Sequence, residues 1–133
     1  MATDPTPSVL VIDDEEAVRE VLEDLLVLLG YTAVAAAQDG ATGLAALLKH
    51  LPDAVLLDIA MPGALGGVET LRIIRLAWPD LPVVMVTANA DEGLAKTTLQ
   101  AGAFDYVMKP VHLERLREIL GAAMALSGKV PPA

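Results

Sequence analysis

Five polar side chains of this 133-residue chain each follow a short apolar run. They comprise three carboxylates, one hydroxyl and one ammonium: Asp13, Asp14, Asp58, Thr87 and Lys109. Three carboxylates that crowd together repel one another unless a cation joins them. Oxygen ligands without His or Cys suit Mg²⁺, which binds one or two carboxylates together with waters and phosphate oxygens. These residue types therefore predict a magnesium site, provided that the fold brings them together.

The hydroxyl and the ammonium point to phosphoryl chemistry. Thr87 and Lys109 offer a neutral donor and a positive charge, which the oxygens of a phosphoryl group need. A carboxylate can then act as the nucleophile and form an acyl phosphate. Asp58 is the natural candidate because it stands alone after its apolar run, whereas the other two acids form a pair. Taken singly, such residues are more often turn or cap residues or solvated charges, so the prediction depends on all five.

The elements that must position these residues alternate along the chain. Short, unbroken and partly β-branched runs at 9–12, 54–57 and 83–86 predict strands that are covered on both faces. Residues 31–36 and 105–108 are weaker strand candidates. Helical periodicity or capping marks five further segments: 18–29, 39–50, 68–77, 91–101 and 111–127. In the second of these helices, Leu44, Leu47 and Leu48 are expected to face inward.

A β–α unit repeated five times predicts right-handed crossovers and a parallel sheet with helices on both faces. Ligands of such sheets bind beyond the carboxyl ends of the strands, and the five polar residues all fall there. The chain is expected to form one domain over residues 9–127, with frayed tails at 1–8 and 128–133.

The composition excludes several function classes. The chain carries 9 Lys and Arg against 18 Asp and Glu, a net charge of −9, which argues against a nucleic-acid or anionic-membrane surface. It has no cysteine, which excludes disulfides, thiolate zinc sites and thiol catalysis. Neither a secretory signal nor a membrane-spanning segment is visible, so the expected location is the cytoplasm.

Taken in order, these motifs resemble the receiver domain of bacterial two-component response regulators. The resemblance covers nearly the whole chain, and although each motif is weak alone, all of them at receiver spacing are very specific. It implies a flavodoxin-like, three-layer α/β/α fold of five βα units with the doubly wound strand order 2-1-3-4-5. The matching segments are Ile12-Asp13-Asp14-Glu15, Leu57-Asp58-Ile59-Ala60-Met61-Pro62, Val86-Thr87-Ala88, Gly102-Ala103-Phe104-Asp105-Tyr106 and Lys109-Pro110.

The resemblance implies how the site works. Asp58 accepts a phosphoryl group from a phosphohistidine on a histidine kinase or a histidine phosphotransfer protein. Asp13 and Asp14 hold Mg²⁺ together with Asp58 and the backbone carbonyl of Ala60, and Mn²⁺ can substitute for Mg²⁺. Lys109 contacts the phosphoryl group.

The resemblance also implies a conformational switch. Thr87 moves to hydrogen-bond the phosphoryl group, and Tyr106 turns inward as it moves, which changes the surface of the fourth helix, fifth strand and fifth helix. Ala88 is small and leaves the site open. The peptide bond before Pro110 is expected to be cis.

The partners follow from the same resemblance. Val18 and Val21 lie where related receivers dock their phosphodonor helices, although core packing explains them equally well. An output partner or an attached effector domain is expected without being identified, and a dimer that depends on phosphorylation fits the same family. The chain is not expected to be an enzyme, beyond assisting its own phosphoryl transfer and autodephosphorylation.

Two other readings remain open at this point. A phosphatase of the haloacid-dehalogenase type places its nucleophile after the first strand and a second Asp two residues later, but here Glu15 stands two residues after Asp13 and no cap-sized insertion exists. A pseudo-receiver that acts only through binding usually lacks the acidic pair or the acceptor, and both are present here. One departure from the receiver pattern is the loop after Pro62, which is one residue longer than usual and leaves its geometry open.

Overall fold

A computed structural model describes residues 6–63, 65–88 and 92–132 of the chain. These residues alternate between strand and helix throughout, as the periodicity predicts. The elements are β1 Ser8–Ile12, α1 Glu16–Leu28, β2 Thr32–Ala37, α2 Gly40–Lys49, β3 Ala54–Asp58, α3 Gly67–Ala77, β4 Val83–Thr87, α4 Glu92–Gln100, β5 Asp105–Met108 and α5 Leu113–Leu126. The predicted start of the fourth helix at Asp91 lies outside the described residues.

The five strands form one parallel sheet in the order β2-β1-β3-β4-β5. This order confirms the predicted flavodoxin-like fold. Strand β3 lies at the centre of the sheet, between β1 and β4. The carboxyl end of β3 therefore lies between the ends of the two strands that carry the acidic pair and Thr87.

The sheet divides the core into two hydrophobic clusters, one on each face. Alternate residues of β1 show the division, since Val9 and Val11 pack toward α1 and α5 while Leu10 and Ile12 pack toward α2 and α3. All four side chains are fully buried. Burial on both faces is the reason that the central strands appear in the sequence as unbroken apolar runs.

Both ends of the domain make contacts with Asp53. Ser8 belongs to β1, where its backbone N–H donates to Asp53 Oδ2 at 2.7 Å. At the other end, the Nζ atom of Lys129 lies 2.8 Å from Asp53 Oδ1, and its backbone N–H donates to the carbonyl of Met124 at 2.8 Å. The segment after α5 is thus anchored to the domain, whereas residues 1–5 of the predicted N-terminal tail lie outside the described residues.

The predicted inward face of α2 was partly wrong. Leu47 is buried and Leu44 partly buried, but Leu48 is 78% exposed. The buried stripe of this helix consists of Gly40, Gly43 and Leu47. One further residue turns a helical side chain by about 100°, so Leu48 leaves that stripe and faces solvent.

The long loop after β3 closes tightly onto the end of that strand. The backbone N–H of Gly67, the first residue of α3, donates to the carbonyl of Ile59 at 3.1 Å. A Cβ atom at Gly67 would lie 2.6 Å from the Cα atom of Ile59. The N–H of Gly66 donates to Glu69 Oε1 at 3.1 Å, which holds the start of the helix. The extra loop residue therefore leaves α3 seated directly beside Asp58.

This close approach predicts the effect of a single methyl group. Gly67→Ala should lower the free energy of unfolding by about 2 kcal/mol, because the added Cβ overlaps the backbone of Ile59 and the strand end must shift. Gly121→Ala in α5 is the matched control, since its added Cβ meets no atom within 4 Å apart from its chain neighbours and the adjacent backbone of its own helix. That control should raise stability by about 0.5 to 1 kcal/mol through helix propensity. Urea unfolding of both variants checks the difference, and equal stabilities would contradict the tight closure.

Candidate functional site

The three aspartates predicted to form a site lie together at the carboxyl end of the sheet. Ile12 of β1 pairs with Leu57 of β3, so the residues that follow these two positions are neighbours. One carboxylate oxygen from each of Asp13, Asp14 and Asp58 lies within 4.8 Å of the others. Asp13 and Asp58 are only 1% and 3% exposed, whereas Asp14 is exposed. The cluster is therefore buried on one side and open to solvent on the other.

Lys109 contributes an ammonium group to this site. Its Nζ atom lies 3.1 Å from Asp13 Oδ2, 3.5 Å from Asp58 Oδ1 and 3.9 Å from Glu15 Oε1. The residue follows directly after β5, and its backbone N–H donates to the carbonyl of Thr87 at 2.7 Å. The Lys109–Pro110 peptide bond is cis. The strand end thus directs the lysine toward the two buried carboxylates.

The environment of Asp58 disfavours its charged form. Burial and the nearby charge of Asp13 raise the pKa of Asp58 from 3.8 to about 6, and a side-chain hydrogen bond with Asp14 acts in the same direction. The charge of Lys109 and the N–H of Ala60, which donates to Asp58 Oδ1 at 3.2 Å, oppose the rise. Asp58 therefore favours folding most below pH about 4, and that contribution is lost as the pH rises through about 6.

The neighbouring carboxylates favour the charged form of Lys109. Burial alone would lower the pKa of Lys109, but its hydrogen bond with Asp13 and the charges of Asp58, Asp13 and Glu15 outweigh burial and raise it. The lysine is consequently a fixed positive charge at neutral pH. It balances only one of the three clustered carboxylates.

The site fits a hard divalent cation. Three ionised aspartates and one ammonium leave two negative charges, which a divalent ion would neutralise. Asp13 Oδ2 is buried and faces the Nζ atom of Lys109 at 3.1 Å. The carboxylates offer oxygen ligands, which Mg²⁺ prefers. Asp13, Asp14 and Asp58 can hold such an ion, and the part expected of the backbone carbonyl of Ala60 stays a prediction.

The predicted switch residues lie on the two strands beyond β3. Thr87 is buried at the end of β4, and Ala88 after it is exposed. Tyr106 of β5 pairs in register with Met85, so it lies on the same face of the sheet as Thr87. The tyrosine is half-buried and packs against the hydrophobic cluster on this face of the sheet, as Leu94 of α4 also does.

The two predicted docking residues differ in exposure. Val18 is partly buried and packs against the core between α1 and α5, which supports the packing interpretation for this residue. Val21 is 52% exposed and is available to a partner.

Sequence reasoning missed one contact of the site. Arg19 Nη1 donates to the backbone carbonyl of Asp13 at 2.7 Å. The signal available in the sequence was a single basic residue close to the Asp pair and among acids.

Comparison with known proteins places the whole domain in one family. Residues 9–121 match the response regulator receiver domain. The response regulator MprA of Mycobacterium sp. (strain KMS) is 41% identical over 124 residues, which cover 93% of this chain and 52% of that protein. The probable C4-dicarboxylate response regulator DctR of Bacillus subtilis is 38% identical over 113 residues, or 84% of this chain and 50% of that protein. The chain thus spans about half the length of these relatives.

Solved structures agree with the sequence comparison. A response regulator receiver domain protein from Clostridium thermocellum is 29% identical and superposes with a TM-score of 0.85, over 92% of this chain and 97% of that one. Among the described residues of this chain, no helix is long and apolar enough to cross a membrane.

The charge imbalance predicts that Mg²⁺ stabilises the folded domain. At about ten times its dissociation constant, the ion should add about 1.4 kcal/mol by mass action, which corresponds to a rise of about 5 °C in melting temperature. In Asp14→Ala this rise should largely vanish, while Asp24→Ala, which removes an exposed acid of α1 outside the cluster, should keep it. Calorimetry with and without Mg²⁺ measures the shift, and an equal response of both variants would place the ion elsewhere.

Proposed function

The chain belongs to the response regulator receiver domain family of two-component systems, and on that basis we propose that it is a phosphoacceptor. In this proposal Asp58 takes a phosphoryl group from a phosphohistidine donor in the presence of Mg²⁺. The observation that carries the proposal is the position of Asp58, which is buried at the end of the central strand between Asp13 and Lys109. With a pKa of about 6, the carboxyl is mostly ionised at neutral pH and can act as a nucleophile.

The reaction is a transfer between two nucleophiles. A carboxylate oxygen of Asp58 forms a bond to phosphorus as the phosphorus–nitrogen bond of the donor breaks, and the imidazole nitrogen keeps the electron pair of that bond. The product is an acyl phosphate on Asp58. Lys109, already 3.5 Å from Asp58 Oδ1, offers its ammonium to the oxygens of the incoming group. When bound, Mg²⁺ supplies electrostatic stabilisation of the charge on that group.

We do not assign turnover of free substrates to the domain. The nucleophile follows the third strand and not the first, which separates it from the phosphatase arrangement considered above. The domain assists only its own phosphorylation and autodephosphorylation. A generic phosphomonoester such as para-nitrophenyl phosphate should therefore not be hydrolysed catalytically.

The partners in this proposal are a histidine kinase or a histidine phosphotransfer protein as donor, and a separate output partner or an attached effector domain as receiver of the signal. Relatives that are about twice as long are named response regulators, which is compatible with an attached effector. Val21 lies on the exposed side of α1, the helix that follows Asp13 and Asp14 in the chain, and offers an apolar contact to a donor helix. The proposed location is the cytoplasm, which fits such donors. The domain is also proposed to form a dimer when it is phosphorylated.

The proposed switch runs from Thr87 to Tyr106. A phosphoryl group adds about −1.5 to −2 charges beside three acids, so a hydroxyl donor is drawn toward it. Thr87 ends the strand next to β3, and its carbonyl accepts a hydrogen bond from the backbone N–H of Lys109, directly after β5. Tyr106 lies on the same face, against the α4 side of the core. Movement of Thr87 can thus reach the surface formed by α4, β5 and α5.

The acceptor assignment predicts one site of modification. With Mg²⁺ and phosphoramidate, a small donor that carries a phosphorus–nitrogen bond, the intact mass should rise by one phosphoryl group. Asp58→Asn should abolish the gain because no carboxylate remains to attack, and Asp24→Asn should retain it. Mass spectrometry reads both variants. Undiminished labelling of Asp58→Asn would move the acceptor to another residue.

The switch predicts a response that depends on one hydroxyl. Beryllofluoride, an acyl-phosphate mimic, should shift the amide resonances of Thr87, of Tyr106 and of α4 in the wild type, while those of α2 stay nearly unchanged. Thr87→Ala should still bind the mimic at Asp58 but lose most of the response at Tyr106. Thr32→Ala, at an exposed position of β2, is the control that should respond fully. A wild-type response in Thr87→Ala would show that the coupling takes another route.

A further inference from the structure

Arg19 occupies an unusual place beside the acidic cluster. It is the fourth residue of α1, near the positive end of the helix dipole, where a cation is unfavourable. Acids are abundant around it in the sequence, yet its guanidinium Nη1 donates to a carbonyl, that of Asp13, at 2.7 Å. The side chain is half-buried. A cation held at an unfavourable helix position by a backbone contact suggests a positional role.

We propose that Arg19 is a positioning residue for the metal site, because it fixes the peptide unit between Asp13 and Asp14. The inference rests on the proposed function and deepens it. The carbonyl of Asp13 and the N–H of Asp14 belong to one planar peptide unit. A hydrogen bond that holds this carbonyl therefore also limits where the exposed carboxylate of Asp14 can lie relative to the buried carboxylate of Asp13.

The remaining contacts of the turn show what Arg19 adds. The N–H of Asp13 donates to the carbonyl of Ala37 in β2 at 3.0 Å, which fixes the peptide unit before Asp13. The Oδ1 atom of Asp13 accepts from the N–H of Glu15 at 2.9 Å, which fixes its side chain. The peptide unit after Asp13 is the one that carries the chain to Asp14, and it is held by Arg19. Groups that orient metal ligands in this way often affect affinity strongly when removed.

The positive charge of Arg19, taken alone, would lower the affinity of the site for Mg²⁺. A guanidinium near a cation site repels the incoming ion, so an arginine that served only as a charge would weaken Mg²⁺ binding, and its removal would strengthen it. A positioning arginine has the reverse effect, since its loss frees the Asp13–Asp14 peptide and weakens binding. The sign of the change in affinity therefore separates the two roles.

The test is isothermal titration of the full chain with MgCl₂. Arg19→Ala should bind Mg²⁺ about tenfold more weakly than the wild type. Arg19→Lys should stay within about threefold, because an ammonium can also donate to the carbonyl and keeps the charge. Arg72→Ala, which removes an exposed arginine of α3, should leave the affinity unchanged. Should Arg19→Ala fail to fold, Arg19→Met retains the apolar stem and serves the same comparison.

A second measurement does not depend on the ion. In metal-free protein, amide hydrogen exchange at Asp14 and Glu15 should be faster in Arg19→Ala than in the wild type, and Arg19→Lys should restore it. Affinity in Arg19→Ala that equals or exceeds the wild-type value would overturn the inference, as would unchanged exchange at these amides. Absence of both Mg²⁺ binding and phosphorylation in the wild type would instead overturn the proposed function.

Discussion

The three carboxylates at the carboxyl end of the sheet repel one another, and the metal-free domain must hold them together against that repulsion. Asp13 and Asp58 are buried side by side at the ends of adjacent strands, and Asp14 is close to both. Lys109 offsets only part of their charge. Placing unbalanced charge in a partly buried site costs free energy, so the metal-free domain retains an unfavourable feature that a cation would relieve.

The fold holds these acids at close range because its backbone is fixed there at several points. Parallel pairing of β1 with β3 sets the distance between the two buried carboxylates. The close contact of Gly67, at the start of α3, with Ile59 fixes the end of β3. The hydrogen bond from the backbone N–H of Lys109 to the carbonyl of Thr87 holds the ends of β4 and β5 together. Both hydrophobic clusters pack on this sheet, so the strand ends cannot separate to relieve the repulsion. A cation that binds at this edge would therefore relieve the repulsion without a movement of the strand ends.

The sheet and the clustering of the three aspartates could be predicted from the sequence because both produce local signals. Unbroken apolar runs marked the buried strands, and polar residues directly after them marked the edge at which ligands bind. Leu48 was placed inward because periodicity alone cannot tell which side of an edge helix meets the sheet. The contact of Lys129 with Asp53 joins residues that are distant in sequence, and Arg19 contacts a backbone carbonyl. Residue types alone therefore do not identify the partner of either side chain.

The most direct test of this account is the titration of the Asp58 side-chain carboxyl by ¹³C NMR, first in metal-free protein and then with saturating Mg²⁺. Burial, together with the nearby charge of Asp13, predicts a pKa of about 6 for Asp58 without metal. A cation that joins the three carboxylates favours the charged form, so the pKa of Asp58 should fall well below 6 when Mg²⁺ is present. A pKa near the ordinary aspartate value of 3.8 that Mg²⁺ leaves unchanged would contradict the central role of carboxylate repulsion.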